Sequence, residues 1–365
     1  MTILFLCAEG ELVKERAGYA RAFRRRGITV ACVPPGEILN IKLDHLLAYC
    51  PERPSLILHV ESPLMPRGLT KVPIPTALMQ SDPYAYTHRR LRWAMLFDHV
   101  FLQHGGFEDR FRAAGHPAPM TLLHAVDPEY FAGAEEERTF QISSVGRVDG
   151  ANYHTRREVL GALAEEFRMN EWSREHTYEE LADVYRKTRI VVNVGRDDYP
   201  TDVSLRFAEA MAAGALFITQ LPSELEDLGF VEGVHYVGFR DRTEISALVR
   251  HYLTDESSRW RVAQAGRQKV IREHTYDCRV EMLLVRLMQT EGEFFAPARQ
   301  WRESPVRLVY LDYFAGNGAL DCASDELRAI VRLSLRDATR GAAILARAWA
   351  QRSRARMTSA IRSLE

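Results

Sequence analysis

Thr2-Ile3-Leu4-Phe5-Leu6-Cys7 is an unbroken apolar run, Ala8-Glu9-Gly10 interrupts it, and residues 12–26 follow with Leu12, Ala17, Ala20 and Phe23 on one helical face. The first run reads as a buried parallel strand. The second stretch reads as a helix. Arg24, Arg25 and Arg26 stand at its end, where cations suit the negative pole of the helix dipole, and Gly27 is a natural C-terminal cap. Residues 28–33 form another apolar strand. One β-α-β unit is therefore predicted within 33 residues, and the common solution for that pattern is a doubly wound sheet.

The alternation continues outward. Strands are predicted at 55–60, 76–79, 99–103 and 121–123, with a helix over 86–95. A polar linker is placed near 132–138. A second α/β set begins at Phe140, with strands at 141–145, 190–194, 216–219 and 236–239. Its helices are predicted at 155–167, 178–188, 204–213, 243–254 and 256–272. Beyond 291 the pattern changes: 304–313 reads as an extended segment, and 324–335 and 339–352 as Arg-rich helices.

Composition narrows the function. The chain has 365 residues, 46 % hydrophobic and 27 % charged, with a formal net charge of -1. That length suits two domains. The charge balance gives no reason to expect a nucleic-acid partner. Cys7, Cys32, Cys50, Cys278 and Cys322 are scattered and odd in number, which fits reduced thiols in a cytoplasmic protein. The apolar start is too short for a signal sequence. No run approaches the roughly 20 residues that span a bilayer, and the Arg-rich tail at 347–362 reads as a solvated helix face, so membrane association is not expected.

The strongest local signal is Asp202-Val203-Ser204-Leu205-Arg206-Phe207-Ala208-Glu209-Ala210-Met211-Ala212-Ala213-Gly214-Ala215-Leu216. Ser204 is a good helix N-cap. Free amides and the dipole at such a start make an anion site. Glu209, about a turn and a half further in, is placed to reach a hydroxyl pair beside that anion. Amides for phosphate and a carboxylate for ribose are what a nucleoside diphosphate needs. The same spacing also reads as an amphipathic helix with a solvated Glu209.

Ser204-Leu205-Arg206-Phe207-Ala208-Glu209-Ala210-Met211-Ala212-Ala213-Gly214 resembles the donor segment of GT-B glycosyltransferases, whose family-4 members hold the donor ribose with a Glu at the position of Glu209. The Arg206 version, followed by Gly214-Ala215-Leu216-Phe217-Ile218-Thr219, resembles the spore-maturation (CgeB-like) group more closely. Ser143-Ser144-Val145-Gly146-Arg147 with Arg156-Arg157-Glu158-Val159-Leu160 is similar to that group's strand, glycine loop and Arg-bearing helix. The segments 178–185, 190–193, 97–101 and 125–131 agree in order.

The resemblance implies two Rossmann-like domains facing a central cleft, with C-terminal helices crossing back. The boundaries are 1–137 for an acceptor domain, 138–290 for a nucleotide-sugar donor domain and 291–365 for a helical extension. It implies sugar transfer from a UDP- or GDP-sugar to an acceptor hydroxyl, with retention of configuration and no metal or other cofactor. The acceptor, a small molecule, glycan or protein, is unknown. Gly146, Arg147, Arg156, Arg157, Ser204, Leu205, Arg206 and Glu209 are the donor-binding candidates. Either Arg156 or Arg157 takes the place of the family's Lys on the diphosphate, the other being solvated. The family's first acidic residue falls at Thr201 here, so its sugar contacts do not carry over, and Asp197-Asp198 is not a metal motif. In the N-terminal half, Glu9, Gly10 and Glu61 are acceptor-binding candidates, and His59, Asp82 and His104, with Arg147, catalytic ones. Each lone His also reads as a structural hydrogen-bonder. The alternatives are a GT-B nucleotide-sugar epimerase and a non-catalytic nucleotide-sugar-binding or scaffold protein.

Overall fold

The computed structural model describes residues 1–34, 41–131, 138–201 and 204–362, with only the backbone of 355–362. Asp202 and Val203 of the quoted motif, and 132–137 of the expected linker, lie outside the described residues.

The chain divides into two compact units. The first comprises Met1–Leu12, Phe23–Leu122 and Leu287–Glu365, the second Val13–Ala22 and Leu123–Arg286. In the first, strands β1 (Thr2–Ala8), β2 (Thr29–Val33), β3 (Leu56–Val60), β4 (Thr76–Gln80), β5 (His99–Leu102) and β6 (Pro119–Thr121) form one sheet in the order β2-β1-β3-β4-β5-β6, and every pair is parallel. β3, β4 and β5 are buried along their whole length. That is why they read as continuous rather than alternating apolar runs. Gly27, at φ +71°, ends the helix Lys14–Arg25 as its position predicts.

Residues 304–313 are not extended. They lie in the helix Glu303–Gly316, which packs on Leu320–Val331, on Leu335–Arg362 and on Thr87–Ala94. Val309, Tyr310 and Tyr313, the residues of this segment with a strand preference that lie deepest, are buried by that packing, and Val306 is half-buried. Tertiary burial overrides a modest β preference. An ion pair holds the start of this segment. Arg299 grips the fully buried Asp98 with Nε on Oδ1 at 2.8 Å and Nη2 on Oδ2 at 2.7 Å. Burial pushes the Asp98 carboxyl up, but Arg299 and the Ala296 amide hold it below the usual carboxylate range.

In the second unit, β7 (Phe140–Ser143), β8 (Thr188–Asn193), β9 (Leu216–Gln220) and β10 (Val237–Phe239) pair in parallel in the order β10-β9-β8-β7. The helix Arg206–Ala212 connects β8 to β9 and packs on Glu256–Glu273. The helix Tyr276–Gln289, unforeseen in the sequence, follows. The 13–22 segment belongs here through three contacts. Glu15 meets His124 at 3.0 Å, Arg21 meets Asp127 at 2.7 Å, and the Tyr19 ring stands edge-on to Tyr276 at 5.0 Å. A Cβ on Gly18 would collide with the Tyr276 ring.

Candidate functional site

The donor candidates gather at the carboxyl ends of β7, β8 and β9. β7 runs into Ser144-Val145-Gly146, and Gly146 has φ +147°. A side chain there would run into the guanidinium of Arg206, the first residue of its helix. That guanidinium is held in place: Nε donates to Asn193 Oδ1 at 2.9 Å, and the Asn193 amide donates to Thr219 Oγ1 at 2.9 Å. The last residue of β8 and a residue of β9 thus fix a cation beside the glycine turn. An Arg fork set so is suited to a phosphate pair.

Arg156 and Arg157 both brace the same turn. Arg156 is buried, donating Nε to the Val194 carbonyl at 2.9 Å and Nη1 to the Arg147 carbonyl at 2.7 Å, with its guanidinium 4.9 Å above the Tyr153 ring. Arg157 donates Nη1 to the carbonyls of Val148 and Gly150 at 2.5 and 2.9 Å. Neither is simply solvated. Arg147 is the outward one, its side chain 62 % exposed and its Nε 3.6 Å from Asp149.

Ser204 is not the N-cap. Leu205 holds that position in αR geometry with no side-chain cap, while the Ser204 carbonyl accepts from Phe207 N at 3.4 Å. The helix is only seven residues long, so its fixed charge for an anion comes chiefly from Arg206. Glu209 is neither solvated nor on an open face. It is 2 % exposed, with buried Phe207, Ala208, Ala210, Met211 and Ala212 around it on the helix. Burial pushes its carboxyl up to about 8, against the pull of Lys14 and Arg206. Burial also raises the Tyr178 and Tyr185 phenols, and the Glu209 charge adds to both.

The remaining candidates lie in the first unit. His59, near the end of β3, sits 3.2 Å from the Tyr313 hydroxyl. Glu61 accepts from the Ser81 amide at 2.9 Å and from Arg90 Nη1 at 2.7 Å. Asp82 accepts from the Tyr84 hydroxyl at 3.0 Å, and the Tyr84 ring stands 5.3 Å from that of His104. Tyr84 therefore links Asp82 with His104. Glu9 is taken up by Arg24 at 2.8 Å, which with Cys32 holds its carboxyl below the usual range. Gly10, beside it, is exposed. Sequence reasoning passed over Asn193, whose signal was a polar residue closing the apolar run Ile190-Val191-Val192.

Residues 137–285 match a family model described as glycosyl transferase-like. The chain carries a glycosyltransferase-like domain. HepE of Anabaena in complex with UDP-glucose is similar in structure at 13 % identity and TM-score 0.55, over 79 % of this chain and 100 % of that one. Sucrose-phosphate synthase from Thermosynechococcus elongatus is similar at 14 % identity and TM-score 0.55, over 80 % and 100 %. A glycosyltransferase from Rickettsia africae matches at 9 % identity and TM-score 0.55, over 79 % and 98 %. At these identities the likeness establishes the fold, which is GT-B. No curated protein sequence matches the chain. Among the described residues no helix is long and apolar enough to cross a membrane.

Proposed function

We propose that this chain is a glycosyltransferase of the CgeB-like kind. It moves a sugar from a UDP- or GDP-sugar to an acceptor hydroxyl with retention of configuration. The observation that carries this is the Arg206 guanidinium, locked by Asn193 against a glycine turn that has no room for a side chain. The diphosphate lies along that turn, and Arg206 with the outward Arg147 neutralises it. As the glycosidic bond breaks, negative charge grows on the departing phosphate. Fixed guanidinium groups then stabilise the transition state more than the ground state. Arg156 and Arg157 act one step back by holding the turn's carbonyls. Glu209 takes the ribose hydroxyls, and the departing phosphate accepts the acceptor's proton.

In the first unit, His59, Glu61, Asp82 and His104 are assigned to the acceptor side. The HepE complex contains UDP-glucose, which favours trying uridine donors first.

The test is turnover of a nucleotide-sugar panel with and without acceptors. Nucleotide release that depends on an acceptor supports transfer. Interconversion of the sugar without an acceptor identifies an epimerase. Nucleotide binding without either reaction identifies a binding protein and ends the transferase reading.

A further inference from the structure

The carboxyl ends of β3 and β4 hold a cavity that the donor reading does not use. It encloses about 160 Å³ and is lined by His59, Glu61, Gln80, Arg90, Trp93 and Tyr313, with apolar residues beneath. All six lie in the first unit. After Thr76, β4 runs through Ala77, Leu78 and Met79 and ends on the polar Gln80, which is 1 % exposed. The Gln80 amide nitrogen donates to the Arg90 carbonyl at 3.2 Å, which settles which end of the carboxamide is oxygen. That oxygen is buried with no hydrogen-bond partner. Native proteins seldom leave a buried acceptor unfilled, and a ligand or water that donates to it is the usual remedy.

The other groups complete a pattern. Glu61 has φ +41°, a backbone state a side-chain-bearing residue adopts rarely. Its bonds from Ser81 and Arg90 both fall on Oε1, so Oε2 keeps its capacity to accept. The Trp93 indole is pinned through Nε1 to Asp312 at 3.2 Å and stands 4.8 Å from the Tyr313 ring, a rigid aromatic wall.

We propose that this cavity is a subsite for one neutral sugar ring, the terminal residue of a carbohydrate acceptor. Sugar hydroxyls donate to Gln80 Oε1 and Glu61 Oε2, and a third accepts from Arg90, while the C–H face of the ring packs on Trp93. An anionic ligand would meet Glu61, and a lipid chain would bury the polar wall unpaired. The volume lies below the roughly 300 Å³ at which pockets take drug-sized ligands, which suits one ring rather than a chain. The role as acceptor rests on the transferase reading; sugar binding itself does not.

The experiment is saturation-transfer NMR on the full chain, with methyl glycosides of glucose, galactose, mannose and N-acetylglucosamine as probes. UDP binding is measured in parallel to report on the second unit. At least one glycoside should bind the wild type. Gln80→Met, similar in length, should weaken it on the order of tenfold, and Glu61→Gln, at the exposed rim, several-fold, with UDP binding unchanged in both. If Gln80→Met fails to fold, Glu61→Gln carries the test. Failure of every glycoside to bind the wild type overturns the proposal, as does equal binding to the wild type and the folded variants. If a glycoside binds as expected but UDP does not, the transferase reading fails and the sugar subsite stands.

Discussion

Arg206 Nε donates to Asn193 Oδ1 across 2.9 Å, and this bond ties the start of one helix to the end of the strand before it. In the proposed donor site this bond aims the guanidinium before a nucleotide arrives, which would leave little side-chain entropy to lose on binding. Arg206→Lys keeps the charge but cannot repeat the fork. We expect UDP affinity to fall about tenfold or more by calorimetry, with the melting temperature within a few degrees of wild type. Asn193→Ala should weaken UDP binding less and cost about 1–2 kcal/mol of stability. Wild-type affinity in Arg206→Lys would leave Arg206 a structural clamp only.

Gly146→Ala tests the turn itself. The backbone there is one that L side chains rarely adopt, and the added Cβ meets Arg206. A loss of about 1–3 kcal/mol in chemical denaturation is expected, together with loss of UDP binding. A stable variant that binds UDP normally would show that the glycine turn does not touch the nucleotide.

Glu209 gives a pH signature. Its carboxyl sits at about 8 in the folded chain against 4.5 as the ordinary value. Between those values the folded state holds more protons than the unfolded one, so its contribution to stability falls as pH rises through the window. Glu209→Gln removes that slope. The variant should match the wild type in melting temperature near pH 4.5 and exceed it near pH 9. If the ribose is held by the ionised carboxylate, UDP binding at pH 7 should release protons, seen as a buffer-dependent binding enthalpy. Glu209→Gln should lose that release and bind about tenfold more weakly. An unchanged affinity would remove Glu209 from the donor site.

Activity should persist in excess chelator. The acidic pair Asp197-Asp198 is already engaged: Asp197 accepts from the His154 amide at 2.8 Å, and Asp198 pairs with Arg196 at 2.8 Å and accepts from Asn152 at 2.8 Å. Transfer abolished by EDTA and restored by Mn²⁺ or Mg²⁺ would show that a metal takes part.

The parallel sheets were legible because buried strands leave continuous apolar runs, as in Leu56–Val60 and Leu216–Gln220. The helix Glu303–Gly316 was not, since Val309, Tyr310 and Tyr313 favour strands and only the neighbouring helices decide otherwise. The resemblance of two segments to the GT-B donor region brought Gly146, Arg156 and Arg206 onto one candidate list. Nothing in the adjacent pair Arg156-Arg157 reveals which side chain is buried, because that depends on where the helix meets the β7 turn. The burial of Glu209 had a sequence signal, a lone acid inside Phe207-Ala208 and Ala210-Met211-Ala212-Ala213, since a helix apolar all round is an interior one. Gln80 and Asn193 were equally visible as polar ends of apolar strands.

The pairing of Asp98 with Arg299 has a consequence for biosynthesis. The two residues are separated by 201 positions, and the first unit draws on chain from both sides of the second. Emerging from a ribosome, the chain carries this aspartate, the residue just before β5, long before the matching arginine exists. A charge of that kind resists burial without its partner, so the first unit cannot finish consolidating until the segment from 287 onward has been made. The second unit, nearly continuous from 123 to 286, has no such wait. The order of maturation along the nascent chain is therefore the reverse of the order in which the units begin.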